Sequence, residues 1–84
     1  MGVIAYTLIR MEHRKTKELI NNINELQFVK EVTPVYGKYD IIVKTETESI
    51  QELTLFIYNK LRRISGLTRT TTMITAKMNK ASDV

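Results

Sequence analysis

The 84-residue chain has no cysteine and no tryptophan, a single proline, three glycines and one histidine. Without cysteine there is no disulfide, no thiolate metal site and no cysteine nucleophile. A chain this short buries little more than roughly 60% of the surface its unfolded form exposes, so its own core gives only marginal stability. With disulfides excluded, oligomerisation is the ordinary remaining staple, and a homo-oligomer is expected. Long apolar runs are missing too. Uncharged stretches such as Thr54 to Asn59 are far too short to span a bilayer, and Met1 to Arg10 lacks the charged start and small-residue cleavage pattern of a signal peptide. The expectation is a cytoplasmic protein with no membrane contact. The lone histidine, His13, lies in a polar connection, and no Ser-His-Asp set, histidine pair or carboxylate cluster at metal-ligand spacing accompanies it. Catalytic residues, a metal site and a cofactor are therefore not expected, and enzyme chemistry is set aside.

Thirteen lysines and arginines against nine acids give a net charge of +4. Such a surplus invites a nucleic-acid reading, because clustered cations bind phosphate by releasing counterions. The basic residues are instead interleaved with Glu12, Glu18, Glu25, Glu31, Glu46, Glu48 and Glu52. Two small groups stand out. Lys60, Arg62 and Arg63 fall late in an expected helix, where cations favour the macrodipole. Arg14, Lys15 and Lys17 fall near the start of another, the wrong end for the dipole, which suggests a surface contact, although a solvated face is the more ordinary reading. Specific binding to duplex DNA is not expected from this chain.

Val3 to Arg10 is apolar, β-branched and aromatic almost throughout, which predicts a strand buried on both faces. After a polar connection from Met11 to Arg14 the period changes. Leu19, Ile20, Ile23 and Leu26 lie at helical spacing, with Lys17, Glu18, Asn21, Asn22 and Glu25 opposite. Phe28 to Tyr36 reads as a second strand, and Pro34, having no N–H, assigns it to a sheet edge. Gly37 and Lys38 have the length of a two-residue hairpin loop leading to a third, central strand from Tyr39 to Thr45. Ser49 and Glu52 fit a capping box opening a second helix. Its apolar stripe is Ile50, Leu53, Ile57, Leu61 and Ile64, widened by Phe56, and Gly66 suits its C-terminal stop. Leu67 to Lys77 alternates, with Thr68, Thr70, Thr72 and Ile74 on one side and Arg69, Thr71, Met73 and Thr75 on the other, as in a strand rich in threonine.

Shifting the chain against itself by 38 positions sets Val3 on Ile41, Ala5 on Val43, Leu19 on Ile57, Ile23 on Leu61 and Leu26 on Ile64. Two β-α-β halves with right-handed crossovers interleave as an α+β, ferredoxin-like βαββαβ sandwich, a four-stranded antiparallel sheet in the order 4-1-3-2 with two helices on one face. The other face stays open. Apolar residues of the central strands, among them some of Ile4, Tyr6, Leu8, Ile41 and Val43, must point to it, and the simplest cover is the same face of a second copy.

Residues on the hairpin offer the best functional candidates. Asp40 follows Tyr39 at the mouth of an apolar strand, where it serves either as a turn residue accepting backbone N–H bonds or as a ligand contact. The RNA-recognition module shares the βαββαβ order, but its aromatic-rich third-strand signature is absent: Tyr39-Asp40-Ile41-Ile42-Val43 has one aromatic with an acid beside it. An RNA-binding module therefore remains only the alternative.

The hairpin Val35-Tyr36-Gly37-Lys38-Tyr39-Asp40-Ile41-Ile42-Val43-Lys44, followed after one helix by Ile64-Ser65-Gly66-Leu67-Thr68-Arg69-Thr70-Thr71-Thr72, resembles the effector-binding domain of the Lrp/AsnC family, also called the regulation of amino-acid metabolism domain. The family couples a G-x-Y-D hairpin to a Pro-Gly-Val turn and a threonine-bearing last strand. Here Gly37, Tyr39 and Asp40 are intact, Ser65 stands for the proline and Leu67 for the valine. The resemblance covers residues 3 to 76 and implies the stand-alone form, with residues 1–78 as effector-binding and oligomerisation domain and 79–84 as a flexible tail. It implies a sheet-to-sheet dimer, assembled further as a tetramer of dimers, with an amino-acid effector between dimers. Gly37, Tyr39 and Asp40 would form one wall of the effector pocket, and Thr70 and Thr72 of a neighbouring subunit the other. Threonine's strand propensity alone would equally explain the latter pair. Transcription would be modulated through full-length regulators of the family.

Overall fold

The computed structural model describes residues 2–12 and 16–75. The elements run β1 (Val3–Met11), α1 (Thr16–Asn24), β2 (Val29–Pro34), β3 (Ile41–Thr47), α2 (Ile50–Phe56, prolonged by a π-helical turn, Ile57–Leu61) and β4 (Leu67–Ile74). The sheet order is β2-β3-β1-β4 and every pairing is antiparallel, the ferredoxin-like α+β arrangement that the repeat predicted. His13, Arg14, Lys15 and the tail from Asn79 lie outside the described residues.

Alternation along the central strands divides the sheet into two faces. Ala5, Thr7, Ile9 and Met11 of β1, with Ile41, Val43, Thr45 and Thr47 of β3, are buried toward the helices. Leu19 and Ile23 of α1 and Leu53, Phe56, Ile57 and Leu61 of α2 close that layer. The repeat is visible as burial: Ala5 and Val43, Leu19 and Ile57, and Ile23 and Leu61 are equivalent core positions. Ile4, Tyr6 and Leu8 are half-buried on the opposite face, so the strand is dry on one side only. Ile41 and Val43 do not join them there. Register fixes these two on the helix side, opposite Ile9 and Thr7.

Three buried threonines keep the core polar in places, and each finds a partner, as buried hydroxyls must. Thr7 Oγ1 lies 3.0 Å from Thr72 Oγ1, Thr47 Oγ1 donates to the Ser49 carbonyl at 2.9 Å, and Thr45 Oγ1 donates to the Ala5 carbonyl at 3.5 Å.

Several boundaries differ from the sequence expectation. Met11 completes β1 and is buried rather than beginning a polar connection. β2 begins at Val29, because Phe28 adopts φ 77°, a left-handed conformation in which no strand continues. The Phe28 ring meets Phe56 edge to face at 5.6 Å and its carbonyl accepts from Glu46 N, which holds the bulky residue there. β2 ends at Pro34 on the sheet edge, as its missing N–H requires. β3 begins only at Ile41, so the hairpin connection is longer than two residues and is closed by Val35 N donating to the Asp40 carbonyl at 2.9 Å. The capping box is displaced. Ser49 Oγ accepts from Glu52 N at 3.1 Å, but the Glu52 carboxylate reaches the N–H of Glu48 instead of Ser49. Ile50 is 56% exposed, outside the stripe assigned to it. The helix leaves regular α geometry at Ile57, where the Arg62 N–H bonds to the Ile57 carbonyl five residues back.

Gly66 follows that helix with φ 100°, and a Cβ there would lie 2.9 Å from Leu19 Cδ1. Both the backbone conformation and the close approach of α1 require glycine. In β4 an extra residue at Thr68 makes a bulge between Leu67 (opposite Met11) and Arg69 (opposite Arg10).

Candidate functional site

The hairpin loop folds back over the end of β1. Asp40 N donates to the Ile9 carbonyl at 2.8 Å, Asp40 Oδ2 accepts from Met11 N at 2.9 Å, and Arg10 Nη1 donates to the Lys38 carbonyl at 3.2 Å. Asp40 therefore makes the backbone-capping contacts of a turn residue. Tyr39 reaches across β1, and its hydroxyl lies 2.9 Å from Thr71 Oγ1 on β4. Gly37 has φ 116°, and among the described residues nothing lies within 4 Å of a Cβ position there. Within one chain its glycine character serves the turn, and the space beside it is open. Tyr36 at the loop tip is fully exposed.

Thr70 and Thr72 lie elsewhere. Register sets them opposite Ile9 and Thr7, on the helix side of β4, where they line a groove of about 320 Å³ with Leu53, Ile57, Tyr58, Arg62 and Ile74. Gly37, Tyr39 and Asp40 do not line it. The two groups of candidate residues are thus not brought together in one chain. Thr71, on the other side of the strand, is the threonine that meets the hairpin, and the β4 alternation with Tyr39 nearby held the signal for it. Arg62, which the sequence pattern marks only as a helix-end cation, has its guanidinium carbon 5.1 Å from the centre of the Tyr58 ring. A second cavity of about 420 Å³ opens between the helices over Leu26, Phe28, Leu55 and Phe56, away from all five candidates.

Among the described residues no three metal-ligating side chains come together and no helix is long and apolar enough to cross a membrane. What fold and loop define is a small α+β domain with an open sheet face, a hairpin laid over one end of it, and an edge strand facing a helix across a groove. The sequence profile of the Lrp/AsnC ligand binding domain matches residues 4–84, and the chain belongs to that family. It is a family of ligand-binding regulators rather than enzymes. The HTH-type transcriptional regulator FL11 of Pyrococcus abyssi is 32% identical over 79 residues, which cover 94% of this chain and 52% of that protein. The chain thus spans about half the length of the curated relatives it matches. Two solved structures match nearly end to end. FFRP-DM1 superposes with a TM-score of 0.84 at 36% identity, covering 88% of this chain and 99% of the other. A hypothetical protein from Pyrococcus horikoshii, PHS023, gives 0.82 at 34% identity and covers 98% of both.

Proposed function

We propose that this domain is an amino-acid-sensing assembly module that acts in the cytoplasm and modulates transcription through full-length relatives instead of binding DNA itself. The observation that carries this reading is the family match over residues 4–84 with the Gly37, Tyr39 and Asp40 hairpin laid over the open sheet face. A Neisseria meningitidis regulator of the same fold, at 10% identity, was solved as a complex with L-Met, which makes amino acids the first ligands to test.

Two copies close their open faces on each other around a two-fold axis, covering Tyr6 and Leu8, and pairs of dimers associate further, to a tetramer of dimers. The fully exposed Tyr36 at the loop tip is the kind of aromatic that a neighbouring dimer would cover. In that assembly the hairpin of one subunit, with Gly37, Tyr39 and Asp40, faces Thr70 and Thr72 of another. Asp40 supplies negative charge for an α-ammonium, and threonine hydroxyls supply donors for an α-carboxylate.

The test is a calorimetric screen of the twenty amino acids, with mass followed by light scattering. Binding of at least one, coupled to a change in assembly, is expected. No binding by any of them at millimolar concentration would remove the sensing role and leave only assembly. Duplex binding by the purified chain should be weak, independent of sequence and lost with added salt. A sequence-specific footprint at physiological salt would refute the indirect role, and single-strand RNA binding dependent on Tyr6 or Tyr39 would favour the RNA-binding alternative.

A further inference from the structure

The helix layer carries an apolar opening of its own, away from the hairpin. The cavity of about 420 Å³ between the end of α1 and α2 is walled by Leu26, Phe28, Leu55 and Phe56, with Glu25, Glu52 and Lys60 also lining it. A second hollow of about 330 Å³ adjoins it, sharing Phe28 and Glu52 and adding Lys30, Glu46 and Glu48. Glu25, Glu46, Glu48 and Glu52 thus gather around one apolar opening against Lys30 and Lys60, a local acidic excess in a chain whose net charge is +4. Leu55 is 61% exposed there, although its helix neighbours Leu53, Phe56 and Ile57 are buried. Phe28 is the one non-glycine among the described residues with positive φ, a conformation that ordinarily selects glycine or asparagine. Its ring packs on Phe56 and stays half-buried, a wall of both hollows. Strained backbone of this kind clusters at binding sites.

We infer that this surface docks a short segment of a partner protein whose leucine or phenylalanine anchor is flanked on both sides by lysine or arginine. The anchor enters between Phe28, Leu55 and Phe56, and its neighbours meet Glu25 in the first hollow and Glu46 and Glu48 in the second. Glu52 borders both, held in place as its Oε1 accepts from Glu48 N at 2.8 Å. The charges select the occupant. An acidic rim repels phosphate, which sets aside nucleic acid and an anionic lipid surface, and cations on either side of an apolar group belong to a peptide rather than to a free amino acid. An apolar anchor in a pocket with a polar rim is the ordinary anatomy of such docking. The inference goes beyond the sensing reading and does not depend on it, since Gly37, Tyr39, Asp40, Thr70 and Thr72 line neither hollow.

A short capped peptide with a central leucine and two lysines on each side is titrated into the intact protein, with backbone amide shifts followed by NMR. A peptide with alanine at the centre and one with glutamates in place of the lysines are titrated beside it. The leucine peptide should shift amides from Glu25 to Phe28 and from Leu55 to Lys60, and bind about tenfold more tightly than the alanine peptide. Leu55→Ala, on an exposed side chain, should weaken it by a similar factor. Glu25→Gln and Glu48→Gln should weaken it by up to about fivefold each, a loss that added salt removes. Equal binding of the leucine and alanine peptides, equal binding of the lysine and glutamate peptides, shifts confined to other residues, or no binding at millimolar concentration would each overturn the docking surface, and none of them would touch the amino-acid screen. Sedimentation of Leu55→Asp without peptide separates the other occupant. A mass below that of the wild type would assign the surface to a second copy and overturn the partner segment, whereas an unaltered mass supports it.

Discussion

Asp40 shows how one side chain carries two readings that substitution can separate. Its carboxylate accepts the N–H of Met11, a residue only 2% exposed, while its own backbone ties the loop to Ile9 and Val35. Asp40→Ala leaves the Met11 N–H without that acceptor and should cost about 1–3 kcal/mol. For a chain of this size that lowers the melting temperature by about 4–8 °C per kcal/mol. Asp40→Asn keeps an oxygen acceptor and should retain most of the stability. If Asp40 also meets an effector ammonium, Asp40→Asn should lower amino-acid affinity by about tenfold to a hundredfold with little change in melting, and equal affinity would remove it from that site. The glycines give a second contrast. Gly66→Ala meets both a left-handed backbone and Leu19 Cδ1, whereas Gly37→Ala meets the backbone term alone. Chemical denaturation should show a loss of about 1–2 kcal/mol for Gly37→Ala and a larger one for Gly66→Ala. Equal losses would mean that α1 moves aside at no cost.

At the scale of elements, the apolar periodicity carried the fold and failed where a single backbone group decided the outcome. The 38-residue repeat placed both central strands and both helices, because burial on one face imposes period 2 on strands and 3.6 on helices, and that pattern is written in side-chain type. The start of β2 was not legible, since a phenylalanine in a left-handed conformation is selected by its packing on Phe56 and by the Glu46 N–H, both distant in sequence. Nor was the face of Ile41, because a run of three apolar residues, Ile41, Ile42 and Val43, fits either register until the pairing with β1 fixes it. For the site, the hairpin residues were legible as a motif, but the groove was not. Arg62 follows a π turn and Thr70 follows a bulge at Thr68, and neither irregularity is written in the apolar periodicity. The cap of α2 lies between these cases, its serine predicted and its glutamate bond shifted by one residue. Ser49→Ala should cost about 1 kcal/mol by removing the acceptor for Glu52 N. Urea denaturation reads that directly, and no change would mean that the Glu52 contact to Glu48 N caps the helix alone.

For the whole molecule the decisive feature is the asymmetry between the two sheet faces. One is closed by helices to 0% exposure at Ala5, Ile9, Ile41 and Val43. The other leaves Ile4, Tyr6, Leu8 and Ile42 half-buried at its centre and Met73 52% exposed, with Arg10, Arg69, Glu31, Glu46 and Lys44 also on that face. An apolar centre within a polar rim is the anatomy of an interface core, where a charge cannot be buried without a partner. Leu8 is the probe of choice because it lies mid-strand between Ile42 and Thr71, and a lysine there is harmless on a solvated sheet but costly in a closed interface. Sedimentation of the wild-type chain at micromolar concentration should give a dimer or a larger assembly. Leu8→Lys should dissociate under the same conditions, as a folded monomer or as a chain that unfolds on dilution, with the second outcome showing that dimer formation supplies stability the small core lacks. A wild-type chain that sediments as a stable folded monomer, or a Leu8→Lys variant with unaltered mass, would place the interface elsewhere and leave the open face to another partner.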